Sequence, residues 1–213
     1  MFNFLSEYNG MFIDATKVTL SVSLIALLIG LIFGIILCVC KIGTIKIFKW
    51  LATIYVEIIR NTPILVQIMI IYFALPEIGI LLSPFVAAVV ALSINSAAYV
   101  SEIFRAGVNA IDKGQMEAGR SLGLSYGQTM KLIVLPQAFK NCLPALGNEF
   151  ISLVKESSIV YFVGVADIMF AANAIKNATY ETFGPYLVAA AIYFIITTVL
   201  SQIIKTLERK LEK

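Results

Sequence analysis

From Val18 to Cys40 the chain carries no charged side chain. A helix rises about 1.5 Å per residue, so such a run meets the roughly 20 residues needed to cross a bilayer's hydrocarbon. This feature constrains the fold most, because backbone polar groups in lipid must bond within their own segment or a closed barrel. Four more apolar runs follow: Leu51 to Leu75, Phe85 to about Gly107, Leu143 to Val165, and Tyr186 to Ile204. Runs of this length suit helices, not the short strands of a barrel. The expectation is an all-α integral membrane protein, one domain over 1–213, with five transmembrane helices at about 18–40, 51–75, 85–107, 143–165 and 186–204. Composition agrees: 60% of residues are hydrophobic and only 14% charged, too few polar side chains for a wet exterior.

The distribution of Lys and Arg sets an orientation. Twelve of the 16 lie after span 1, between spans 3 and 4, or after span 5, whereas only Lys17 and Lys176 lie on the other side. The positive-inside rule then predicts the N-terminus outside and the C-terminus in the cytoplasm. No basic residue precedes Lys17, so a cleaved signal peptide is not expected. The net charge of +3 is too mild to suggest nucleic acid. There is no histidine, which removes the commonest ligand for zinc or haem, and no metal site is expected. Cys38, Cys40 and Cys142 sit in or beside apolar runs and read as small apolar residues. Gly30 and Gly34 form a G-x-x-x-G pair that admits close helix approach, either within this chain or in a dimer.

The segment from about 113 to 136 reads as an elbow. A short helix is predicted from about Gln115 to Leu122, closed by Gly123 in a left-handed cap. Ser125 with Gln128 three residues on resembles a capping box that opens a second helix. Leu132, Ile133 and Leu135 give that helix an apolar face, and Pro136 is expected to stop it. A stiff tip with a glycine corner suits docking into a partner's groove.

The same stretch resembles the EAA loop of ABC importer permeases, E-A-A-x3-G-x9-I-x-L-P. Glu117, Ala118, Gly119, Gly123, Ile133, Leu135 and Pro136 match its spacing, with Gly119 in place of the second alanine. Glu57 to Gln67, Ala98 to Gly107 and Asn148 to Ser158 are similar to spans 2, 3 and 4 of permeases for polar amino acids. The resemblance covers nearly the whole chain. It implies a multi-pass protein of the bacterial cytoplasmic membrane and a pathway formed with a second permease chain, a homodimer being expected. It also implies two ATP-binding cassette subunits docking at Glu117, Ala118, Gly119 and Gly123, and an extracytoplasmic solute-binding protein. The chain has no G-x-x-x-x-G-K-[ST] loop. It is therefore expected to be a transport subunit and not an enzyme, without a cofactor of its own, ATP and magnesium belonging to the partner ATPase.

Ionisable residues within spans are candidates for the substrate site. Glu102 and Glu149 fall about 9 and 8 Å below the midplane of spans 3 and 4 at 1.5 Å per residue. Asn95 and Lys155 lie near the midplane, and Asn95, Tyr99 and Glu102 share one helix face. A zwitterion would find carboxylates for its ammonium and Lys155 for its carboxylate. Four in-span carboxylates (Glu57, Glu102, Glu149, Glu156) against two cations (Arg60, Lys155) favour a cationic solute such as arginine, lysine or histidine. Glu57 and Arg60, three residues apart, are expected to pair with each other. Lys155 and Glu156 have structural uses as an alternative, Tyr99 as packing, and Pro63 makes either a static kink or a gate. A secondary transporter or channel working without ATPase subunits is the rival, although the inverted repeat it predicts is not visible.

Overall fold

The computed structural model describes residues 4–211, and among them every regular element is helical. Helix α1 (Phe4–Ile42) is longer than its apolar run, beginning well before Val18. Helix α2 (Lys46–Arg60) ends at a break over Asn61 to Pro63. The chain continues as α3 (Ile64–Met69), a wide π-type turn (Ile70–Ala74) and a 3-10 turn (Leu75–Ile78). After α4 (Pro84–Asn109) come the short helices α5 (Lys113–Ser121) and α6 (Tyr126–Thr129). A second wide turn (Met130–Val134) leads into α7 (Leu135–Glu156) and a 3-10 turn (Ser157–Val163), followed by α8 (Ile168–Thr179) and α9 (Phe183–Leu211).

Three of these helices, α1, α4 and α9, are long and apolar enough to cross a membrane unbroken. The other two expected spans are bent pairs, so the number of crossings reaches five only if each bent pair counts as one. Within the expected span over Leu51 to Leu75, a bend of 103° separates Lys46–Arg60 from Ile64–Ile78, at the position where a kink at Pro63 was expected. Pro63 has no N–H to continue the ladder. The Gln67 side-chain amide donates to the carbonyls of Ile59 and Thr62, at 2.9 Å each, and so satisfies acceptors that the break leaves free.

The expected stop at Pro136 is corrected. Pro136 sits in the first turn of α7, and helical backbone runs on from Tyr126 to Val163. The wide turn absorbs the missing donor: the Leu135 N–H reaches back five residues to the Met130 carbonyl. The same solution precedes Pro76, where the Leu75 N–H bonds to the Ile70 carbonyl. The rod ends at Gly164, whose φ of +86° is left-handed, and a 48° bend leads into α8. Helix α8 lies where the sequence suggested only a connection between spans.

Small residues let α1 and α4 lie close together. A Cβ placed on Gly30 would stand 2.8 Å from the Ser96 side chain, and one on Gly34 2.7 Å from Val100 Cβ. The G-x-x-x-G pair is therefore committed to packing inside this chain. Around this seam, Val22, Ala26, Ile68, Leu92, Leu153 and Val160 form the main core. A second cluster joins Phe4, Phe12 and Ala15 of α1 to Ile168, Ala172 and Ile175 of α8 and Ala189 of α9. It explains why α1 extends beyond its charge-free run.

Candidate functional site

A polar cavity of about 800 Å³ lies between α1, α2 and α4, with Tyr126 and Met130 from the elbow at its edge. Lys41, Lys49, Glu57, Arg60, Tyr99, Glu102 and Arg105 line it. Glu102 is held by three cations. Lys41, in the last turn of α1, donates to its Oε1. Arg105 lies one turn below on α4 and donates from Nη2 at 2.7 Å and Nε at 3.1 Å to Oε2. Arg60, at the end of α2, comes within 3.9 Å. The carboxylate is 17% exposed, and its acceptor sites are used by side chains of this chain. Glu102, expected to hold the cationic end of a substrate, is here ion-paired within the chain and ties α1 to α4.

The expected Glu57–Arg60 pair is absent, since no ion pair joins these two described residues. The Arg60 guanidinium instead lies over the Tyr99 ring, 5.1 Å from its centroid. Sequence spacing favoured the pair, but the break after Arg60 and the ring on α4 turn the guanidinium toward α4.

The structure divides the other candidates between two sides of α4. Asn95 is buried, with Nδ2 directed at Gln67 Oε1 at 3.4 Å. Glu149 lies on α7, where Ser96 donates to its Oε1 at 2.9 Å. Lys155, further along α7, is exposed and makes no salt bridge among the described residues. Glu102, itself on α4, lines the polar cavity, and Glu149, bonded to α4 from α7, is not among that cavity's lining residues.

Three residues in these networks were not singled out from the sequence. Gln67 bridges the α2–α3 break, and Lys41 was counted only for charge bias. Asp167, fully buried, caps α8 by accepting from the Phe170 N–H at 2.8 Å and accepts from the Tyr193 hydroxyl at 3.2 Å. An aspartate just before an apolar helical run is a legible cap signal.

At the elbow, Asp112 accepts from the Gly114 N–H and caps α5. Gly123 has φ +85°, and Ser125 and Gln128 close a reciprocal capping box. A Cβ on Gly119 would stand 3.0 Å from Thr129 Oγ1 and 3.1 Å from Ile133 Cδ1. Thr129 is fully buried, so the glycine that departs from the EAA pattern is required by the residue beneath it. Leu122 and Tyr126 project at the tip, 82% and 57% exposed.

Residues 26–213 match the family described as the binding-protein-dependent transport system inner membrane component. The arginine transport system permease protein ArtQ of Bacillus subtilis (strain 168) is 49% identical over 201 residues, covering 94% of this chain and 92% of the relative. The putative glutamine transport system permease protein GlnP of Rickettsia conorii (strain ATCC VR-613 / Malish 7) is 44% identical, covering 93% and 92%. In three dimensions the chain is similar to one from the crystal structure of an amino acid ABC transporter with histidines. They are 44% identical, with a TM-score of 0.96 and coverage of 99% and 98%. A chain of the MetNI methionine ABC transporter is 20% identical with a TM-score of 0.72, a likeness of fold alone. Such permeases are transport subunits that work with a separate ATPase and a substrate-binding protein. The chain belongs to the binding-protein-dependent transport system inner membrane component family, as a polar amino acid permease of an ABC importer.

Proposed function

We propose that the chain pairs with a second copy of itself to form the pathway of an importer for basic amino acids. The observation that carries this reading is Glu149, a partly buried carboxylate bonded to the neutral Ser96 hydroxyl, with no ion pair among the described residues. A carboxylate within a membrane span calls for a cation, and here the solute supplies it. Lys155 stands six residues along the same helix, a rise of about 9 Å. That separation suits a long basic amino acid, its carboxylate toward Lys155 and its side-chain cation toward Glu149. Asn95 and Tyr99 shape the route, and Glu102 holds helices together.

The Lys and Arg distribution supports an N-terminus outside and a C-terminus inside, with the elbow in the cytoplasm. Glu117, Ala118 and Gly123 then lie on the surface that meets an ATPase subunit, and the buried Gly119 seats that helix on Thr129 beneath it. The chain's similarity to an arginine permease supports the basic substrate. Its similarity to permeases named for glutamine favours a second reading, a neutral side chain bonded to Glu149 and Ser96. ATP-driven uptake into proteoliposomes holding the full complex and its binding protein separates the two. Under the basic reading, wild type takes up arginine in preference to glutamine, and Glu149→Gln lowers apparent arginine affinity about tenfold, or ~1.4 kcal/mol. Glutamine-selective uptake unaltered by that substitution would overturn it.

A further inference from the structure

We infer that the polar cavity between α1, α2 and α4 holds a second amino acid site, one that reads only the α-ammonium and α-carboxylate groups, with Glu57 and Arg60 as its ligands. The inference rests on the chain being an amino acid permease and is independent of Glu149 and Lys155. Both residues line the cavity of about 800 Å³. They lie three apart on α2, where side chains are neighbours about 5–6 Å apart at Cβ. Opposite charges so placed ordinarily pair, and these do not. Arg60 is held away by the Tyr99 ring, at 5.1 Å, and Glu57 is exposed to the cavity without an ion pair among the described residues.

Arg60 is also the most loosely held of the three cations around Glu102. Lys41 and Arg105 both hydrogen-bond that carboxylate, whereas Arg60 approaches no nearer than 3.9 Å and is 43% exposed. Its planar fork remains available for a carboxylate, which it can hold by two parallel bonds. Stacking on Tyr99 fixes the plane of that fork before a ligand arrives. Every free α-amino acid carries an ammonium and a carboxylate on adjacent atoms, and a neighbouring Glu57 and Arg60 complement that pair. No part of this site addresses the side chain. A solute selected elsewhere would rest here, by its backbone groups alone, on its way through the pathway.

Binding of radiolabelled arginine and glutamine to the complete complex in nanodiscs tests the inference through stoichiometry, with chromatographic assembly as a folding check. Wild type should bind up to two amino acids per permease chain. Glu57→Gln and Arg60→Gln, assayed in parallel in case either fails to assemble, should each remove one. Glu149→Gln should leave the Glu57–Arg60 class in place. Arginine methyl ester and N-acetylarginine, lacking the free carboxylate and the free ammonium respectively, should not compete for that class. A single class abolished by Glu149→Gln and untouched by Glu57→Gln or Arg60→Gln would overturn this site while leaving the Glu149 reading intact. A single class with the opposite dependence would support this site and remove the Glu149 reading.

Discussion

At the scale of single residues, contacts decide what spacing alone leaves open. Gly34 stands where a side chain would meet Val100 and the Ala97 carbonyl, so Gly34→Leu should destabilise the α1–α4 seam by about 1–3 kcal/mol, as overpacking does. Thermal unfolding in detergent checks this, and an unshifted midpoint would show that the seam can relax. Gly10, with open space around its Cβ position, is the control that should tolerate alanine. The conformation required of Gly123 was legible because a glycine between two short helical patterns has few other uses. The partners of Glu102 were not legible. Lys41 and Glu102 are distant in sequence, and their meeting depends on the close approach of α1 and α4 that Gly30 and Gly34 permit.

At the scale of elements, α1 and α9 were legible as long helices because each holds a charge-free run, which leaves the backbone few alternatives in lipid. The bent pairs were not. Pro63 and Pro136 present the same local signal, yet one sits at a 103° bend and the other within a continuous rod. The difference is tertiary: Gln67 satisfies the carbonyls at the first break, while a wide turn before Pro136 preserves the helix. Gln67→Leu should therefore loosen the α2–α3 junction and cost about 1–3 kcal/mol for the unsatisfied acceptors. Faster amide exchange at residues 61–68 would register it, and unchanged exchange would count against the bridge. The elbow predicts its own phenotype. Gly123→Val places a β-branched side chain at φ +85°, a conformation such residues rarely adopt. Transport should fall relative to ATP hydrolysis, or ATPase binding should be lost; wild-type values for both would refute the coupling role.

For the whole molecule, the proposed orientation turns the elbow toward an ATPase and the opposite face toward a binding protein. Asn177 on α8 is exposed, as is Tyr126 at the elbow, so a cysteine at Asn177 should react with an impermeant reagent from outside and one at Tyr126 only after permeabilisation. Asn173 would be a poorer probe, because its side chain accepts from the Tyr186 hydroxyl within the α8–α9 packing. The reverse labelling pattern would invert the topology and the docking role with it. In the proposed pathway, two such chains carry a basic amino acid past Glu149. Its most direct test is mass spectrometry of the small molecules released from the intact complex, purified from cells with wild-type chain and with Glu149→Gln. Arginine or lysine should be released from the wild type and be lost from the variant. A neutral amino acid released in equal amounts from both would contradict it.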